Sequence, residues 1–151
     1  MDSNFNNFIF INKLDSAAKI PTKGSKEAAG WDLYANIKEN AYIYPHTTKK
    51  ISTGIAIEIP RGFFGGIYAR SGLATKKGLR PANCTGVIDS DYRGEIIVAL
   101  HNDTEETYII EPNERIAQLI IQPYLDFDFK ETDSLNETER GDGGFGSTGT
   151  K

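Results

Sequence analysis

The sequence holds a single cysteine, Cys84, so no disulfide can form within one chain. Small extracellular domains commonly rely on such bridges, and a reducing, intracellular setting is therefore expected. Long apolar runs are also missing. Nothing approaches the roughly 18 consecutive apolar residues of a membrane-crossing helix. Phe8-Ile9-Phe10-Ile11 is too short for the core of a secretion signal, and no basic region precedes it. The expected location is the cytoplasm (or the nucleus of a eukaryotic or virus-infected cell), with no secretion and no membrane. Histidine is scarce: only His46 and His101 occur, neither close to Cys84 in sequence, which leaves a Cys–His nucleophile little support. A basic surplus is lacking too. Residues 126–151 carry seven acids against three bases, while the first 125 residues balance at fourteen each, for a net charge of −4. A nucleic-acid binder shows a basic face or stripe, so no nucleic acid is expected as a partner. A small anion needs only a few aimed arginines and backbone N–H groups, and stays open.

What is present suits one soluble domain with its own core, since 151 residues need no covalent staples. Short runs rich in Ile, Tyr, Phe or Trp recur at 8–13, 31–35, 41–44, 55–59, 63–69, 95–102, 107–110 and 115–124. Pro, Gly, Asn and Asp punctuate them, including Gly65-Gly66 and Pro112-Asn113. Many short strands with regular turn signals indicate an all-β sandwich or barrel. One or two helical turns are expected over 71–77, capped by Ser71 and stopped by Gly78. The run 115–122 is ambiguous by period, but its β-branched pairs and the closing Pro123 favour a strand. After Tyr124 the chain turns acidic and polar, then enters 140–149, where five of ten residues are glycine. Such a stretch cannot order by itself, because glycine loses the most backbone freedom. The chain thus divides into a β-barrel domain, 1–125, and an arm, 126–151. An Arg, a lone Phe and a Ser-Thr pair set among the glycines fit a clamp that orders on a ligand better than a frayed end.

The stretch 86–95, Gly-Val-Ile-Asp-Ser-Asp-Tyr-Arg-Gly-Glu, places two carboxylates between a short apolar run and an Arg-Gly turn. It reads as a hairpin with Asp91 to Gly94 near its bend. By itself the pair Asp89 and Asp91 is what turn chemistry favours. Four other stretches change that weighting: 29–35 (Ala-Gly-Trp-Asp-Leu-Tyr-Ala), 69–74 (Ala-Arg-Ser-Gly-Leu-Ala), 115–119 (Arg-Ile-Ala-Gln-Leu) and 140–149. Taken together, in this order and spacing, the five closely resemble the motifs of the trimeric dUTP pyrophosphatases (dUTPases), over most of the chain.

The resemblance implies a jelly-roll-like distorted barrel of the β-clip kind, assembled as a homotrimer with active sites shared between subunits and closed by a flexible glycine-rich C-terminal arm. It implies hydrolysis of dUTP to dUMP and pyrophosphate with Mg²⁺ as cofactor, which keeps uracil out of DNA and supplies dUMP for thymidylate synthesis. By the same resemblance, Asp89 is the general base for water attacking the α-phosphorus, and Asp91 belongs to the turn. Gln118 positions that water. Arg70, Ser71 and Gly72 contact phosphate, and Asn83 with the backbone of Val87 and Ile88 reads uracil. Tyr92 lies against the deoxyribose and leaves no room for a 2′-hydroxyl. Arg140, Gly146, Ser147 and Thr148 hold the outer phosphates, while Phe145 stacks on the base. Asp32 sits on the metal side, through water, and Arg115 supports the interface. Cys84 is expected to pack within the hairpin. Three positions depart from the family pattern: Ala69 in place of a proline, Asn113-Glu114 in place of Gly-Asp, and an added Asp142. Two other readings fit parts of the pattern, a dCTP deaminase-like enzyme and a catalytically silent binding protein of the same fold. The full arm argues against the first, and retention of Asp89 and Gln118 against the second.

Overall fold

Alternation of side chains across a pleated backbone decides most of the strands. The run Ile97–Asn102 shows it plainly: Val98, Leu100 and Asn102 are buried while Ile97, Ala99 and His101 between them are not. In the computed structural model, which describes residues 8–144, twelve strands and one short helix fold into four antiparallel sheets. Strand β1 (Phe10–Lys13) pairs with β6 (Ile55–Glu58). A second sheet runs β5 (Thr48–Ser52), β10 (Ile97–Asn102), β8 (Leu79–Pro81). A third joins β4 (Ala41–Ile43) to β11 (Tyr108–Ile110). The largest runs β2 (Thr22–Lys23), β3 (Trp31–Tyr34), β12 (Arg115–Pro123), β7 (Phe63–Tyr68), β9 (Gly86–Ile88). All four contribute to one apolar core, with Leu33, Ile43, Ile51, Ile57, Leu100 and Leu119 as examples. Each such side chain stabilises the fold by about 1.5–3 kcal/mol on burial.

The all-β expectation is therefore met, and the ambiguous run 115–122 is a strand. Three local expectations are not, and one strand went unforeseen. Gly65-Gly66 is not punctuation but the middle of β7, with β12 on one side and β9 on the other. A Cβ on Gly65 would lie 2.9 Å from Leu119 Cδ1, and one on Gly66 would press into the Tyr68 ring. These glycines serve close approach rather than a turn. Strand β5 carries only Ile51 as a buried residue, after the exposed Lys49 and Lys50, so no apolar run announced it. The hairpin expected over 86–95 does not form, because β9 pairs with β7 whereas β10 pairs with β5 and β8. The segment between them crosses from one sheet to another, turning where Tyr92 N–H meets the Asp89 carbonyl at 3.2 Å. The helix α1 spans Ser71–Lys77 as expected, but Arg70 occupies the cap position and no side chain caps it. Its end does follow the rule: Gly78 adopts φ 60° and donates its N–H to Leu73 O.

One polar residue ties the core together. Asn102 is fully buried, and its Nδ2 donates to Ile43 O (2.9 Å) on β4 and to Glu106 O (2.7 Å). Its Oδ1 accepts from both the N–H (2.9 Å) and the hydroxyl (2.8 Å) of Thr104. The side chain thus fastens β10 to β4 and closes the loop leading to β11. Replacing it by alanine takes a donor from the Ile43 and Glu106 carbonyls and an acceptor from the Thr104 N–H, although the Thr104 hydroxyl still reaches Glu106 O (3.1 Å); a buried group left unpaired costs about 1–3 kcal/mol. Asn102→Ala should lower the unfolding free energy by about 2–4 kcal/mol in urea titrations at fixed subunit concentration. A loss below about 0.5 kcal/mol, the level of an ordinary surface change, would show that water replaces the bridge.

Candidate functional site

The motif residues fall into two clusters, both positioned by the five-stranded sheet. In the first, the register sets Asp32 on β3 opposite Gln118 on β12, and Gln118 opposite Tyr68 on β7. The three side chains share one sheet face, because directly paired residues point the same way. Just past β7, Arg70 turns back onto this row. Its Nε donates to Asp32 Oδ1 (2.9 Å) and its Nη1 to the Arg115 carbonyl (3.2 Å). Arg115 Nη1 donates to the other carboxylate oxygen, Oδ2, at 3.2 Å. Asp32 is mostly covered, with 13% side-chain exposure, so its pair with the half-buried Arg70 is screened less than a surface pair, whereas the Arg115 side chain is 49% exposed. Gln118 Nε2 donates to the Ala69 carbonyl (2.9 Å) at the entrance to the Arg70-Ser71-Gly72 loop. Both Ser71 and Gly72 lie in the first turn of α1, and nothing stands within 4 Å of where a Cβ on Gly72 would be.

The start of β12 explains how Asn113-Glu114 replaces Gly-Asp. Asn113 sits at φ 65°, the left-handed region that asparagine tolerates best after glycine. Glu114 accepts the Tyr108 hydroxyl on Oε1 (2.8 Å) and the Glu111 N–H on Oε2 (3.0 Å). Burial together with that carboxylate pushes the Tyr108 pKa up to about 12. The turn that launches Arg115 and Gln118 is thus fixed by side chains on both of its flanks.

The second cluster is a cavity of about 300 Å³, at the small end for ligand pockets. Asn83, Val87, Ile88, Asp89 and Tyr92 all line it, together with Glu95 and Ala99. Five of the sequence-derived positions are thereby brought together. The Tyr92 hydroxyl donates to Glu95 O (3.0 Å), and a Cβ on Gly94 would lie 2.6 Å from the ring's Cζ. Gly94 leaves room for the hydroxyl end of the ring to sit close to the backbone. Cys84 does not pack: it is exposed, at φ 59°, in the turn entering β9. Sequence reasoning gave no role to Gly30, Gly94 or Glu95, although all three lie inside the motifs it singled out. What marks them is space and backbone bonding, which residue type alone does not display.

The two clusters stand apart within one subunit. Ile88 pairs with Gly65, so Asp89 follows on toward the Phe64 end of β7, whereas Arg70 follows its Tyr68 end. At about 3.3 Å per residue the two are separated by about 15–20 Å. A general base must lie within about 3 Å of the proton it takes. A reacting atom beside Asp89 therefore lies well away from the Arg70 cluster of the same subunit. Beyond β12, Leu125, Phe127 and Phe129 are 80, 76 and 106% exposed, alternating with Asp126, Asp128 and Lys130. Arg140 Nε donates to Gly143 O (2.9 Å), and Asp142 is exposed. Phe145, Gly146, Ser147 and Thr148 lie outside the described residues.

The family model described as dUTPase matches residues 16–149. The deoxyuridine 5'-triphosphate nucleotidohydrolase of Desulfitobacterium hafniense (strain DSM 10664 / DCB-2) is 48% identical over 136 residues, covering 89% of this chain and 90% of that protein. The Candida albicans protein of the same name is 48% identical over 133 residues, covering 87% and 81%. Among solved structures, the Staphylococcus bacteriophage 80alpha dUTPase with dUPNHPP superposes with a TM-score of 0.85 at 30% identity, covering 95% of this chain and 99% of that one.

Gly30 offers a direct check on the first cluster. A Cβ there would press on the Gln118 carboxamide, coming 3.2 Å from Cδ and closer still to Oε1. A crystal structure of Gly30→Ala should show Gln118 swung off the Ala69 carbonyl, with β3 and β12 in unchanged register. An undisturbed Gln118 would mean that β3 yields instead.

Proposed function

Because the chain belongs to the dUTPase family, whose model matches nearly its whole length, we propose a division of labour in which one subunit's pocket selects the nucleoside and supplies the base, while another's arginine cluster holds the phosphates. The protein is a dUTP diphosphatase that hydrolyses dUTP to dUMP and pyrophosphate. The observation that carries the division is the separation of Asp89 from Arg70 along β7. It supports a role for a second copy, which the trimer expected of the family would supply. The bare apolar side chains of Leu125, Phe127 and Phe129 support an arm, 126–151, that leaves its own subunit to reach a neighbour's site.

In this reading uracil enters the cavity lined by Asn83, Val87 and Ile88, where backbone and amide groups pair with its edge. A methyl or an exocyclic amine would meet a wall or leave donors unpaired, which discriminates more strongly than size alone. Tyr92 closes on the sugar. Asp89 takes a proton from water as the water oxygen bonds to the α-phosphorus, and the bond from that phosphorus to the bridging oxygen breaks. Pyrophosphate leaves, and the proton passes from Asp89 to solvent. Gln118 spends its amide on the Ala69 carbonyl, so its Oε1 is the edge offered to the water. Arg70, Ser71 and Gly72 meet the phosphates. Asp32 holds the Arg70 guanidinium at one edge, so that its charge is aimed rather than sampled. Arg140, Gly146, Ser147 and Thr148 complete the phosphate contacts, and Phe145 covers the base.

The residues present do not fit a resident magnesium ion. Among the described residues no group of three or more His, Cys, Asp or Glu side chains could hold one, and two arginines already occupy both oxygens of Asp32. Mg²⁺ is best read as arriving with the substrate, as Mg–dUTP, bound by phosphate oxygens and its own waters. A through-water contact is what remains open to Asp32.

The panel dUTP, dTTP, dCTP and UTP, assayed for pyrophosphate release with Mg²⁺, tests the specificity. Rapid release from dUTP alone is expected, and comparable turnover of dTTP would refute the uracil pocket. Co-expression tests the sharing of sites. Asp89→Asn and Arg70→Ala, each nearly inactive alone (a loss of about 10²-fold or more, as for general-base removal), should regain dUTPase activity in mixed trimers. Absence of recovery in verified mixed trimers would place both residues at one subunit's site.

A further inference from the structure

Glu95 and Asp89 are the two acids that line the nucleoside pocket, and the hydrolysis uses only Asp89. The Glu95 carboxylate is engaged by the turn between β5 and β6. Its Oε1 accepts the Gly54 N–H at 2.8 Å and the Ser52 hydroxyl. Its main-chain carbonyl accepts the Tyr92 hydroxyl at 3.0 Å. One residue therefore grips the 52–54 turn with its side chain and the aromatic ring with its backbone. The next residue reinforces the grip: Ile96 N–H donates to Ile55 O (2.9 Å), and Thr53 Oγ1 donates to Ile96 O (2.5 Å). At the hydroxyl end of the ring, Gly94 leaves no side chain to displace it.

We propose that Glu95 is a positioning residue for sugar selection, fastening the 92–95 segment to the 52–54 turn so that Tyr92 excludes a 2′-hydroxyl. The proposal rests on the reading above that Tyr92 lies against the deoxyribose. Segment 89–96 has no strand ladder to hold it, since β9 ends at Ile88 and β10 begins at Ile97. Its shape therefore depends on individual hydrogen bonds, and those to an ionised carboxylate are the strongest kind available. A ring held on one side by a single hydroxyl bond, on a segment free to shift, would yield to the extra oxygen of UTP. With the segment anchored, admitting that oxygen means breaking the Tyr92–Glu95 bond, the Glu95–Gly54 bond, or both.

The test is the ratio of kcat/KM for dUTP to that for UTP in wild-type protein, Glu95→Ala, Glu95→Gln and Tyr92→Phe. Glu95→Ala should lower the ratio at least about tenfold, the worth of one or two hydrogen bonds, mainly through faster UTP turnover. Its kcat for dUTP should stay within about threefold of wild type, because no group touching the phosphates has changed. Glu95→Gln keeps an acceptor at Oε1 and should restore most of the ratio. Tyr92→Phe, which loses the hydroxyl bond itself, should lower it in the same direction. If Glu95→Ala does not fold, Ser52→Ala removes one of the two donors and should give a smaller drop. An unchanged ratio in Glu95→Ala, or in Ser52→Ala where that variant stands in, overturns the proposal. So does a fall in dUTP turnover with the ratio intact, which would mark a purely structural role. Failure of the wild-type protein to hydrolyse dUTP would instead overturn the function on which the proposal is built.

Discussion

The pairing of β7 with β12 on one side and β9 on the other is the constraint on which the rest depends. Gly65 and Gly66 make it possible, since Leu119 and Tyr68 side chains fill the space that Cβ atoms would need. Once that register is set, Gln118 must lie beside Tyr68, and Arg70 must emerge next to Asp32. By the same register Asp89 must emerge at the far end of the strand. The half-sites of one subunit are thus distributed by a sheet, and no side-chain motion of a few ångströms could reunite them. A second copy of the chain is what the division of labour proposed above calls for.

Much of this was legible in the sequence, but unevenly. The β class, the strand at 115–123 and the helix before Gly78 follow from apolar patterning and from a left-handed glycine, both local properties. The pocket residues Asn83, Val87, Ile88, Asp89 and Tyr92 were legible only through resemblance, since Asp89 and Asp91 look alike to turn chemistry. Pairing partners were not legible. Gly86 to Glu95 has the composition of a hairpin, yet its two flanking strands find different neighbours, and strand pairing is decided by contacts distant in sequence. Gly65-Gly66 misleads for the same reason: the glycines answer to Leu119 and Tyr68, one of them over fifty residues away. Asn113 is the opposite case, a substitution that departs from the family pattern and keeps the backbone conformation intact.

Charge in this protein is aimed rather than accumulated. The first 125 residues have no net charge, and a triphosphate is still to be bound. Asp32 resolves the tension by holding Arg70 through Nε and Arg115 through Nη1, on a carboxylate that is mostly covered. A guanidinium fixed in this way loses little further freedom when phosphate arrives, so its binding energy is spent on the ligand. The cost is that part of the positive charge is already neutralised. In the function proposed above, a substrate that brings its own magnesium ion and meets Arg140 from the arm makes up the difference.

The nucleoside half follows the same logic with neutral groups. Its cavity is small, its Tyr92 ring meets a glycine at its hydroxyl end, and the segment carrying ring and base has no ladder of its own. Order there is borrowed from the 52–54 turn through Glu95 and Thr53. Each half of the site therefore has one buried or half-buried carboxylate that never meets the reacting atoms: Asp32 orients an arginine, and Glu95 orients an aromatic ring. Selection for the deoxy sugar and alignment of the phosphates are, on this view, set one step behind the substrate. They are set by acids whose own partners lie within the fold and stay paired when the site is empty.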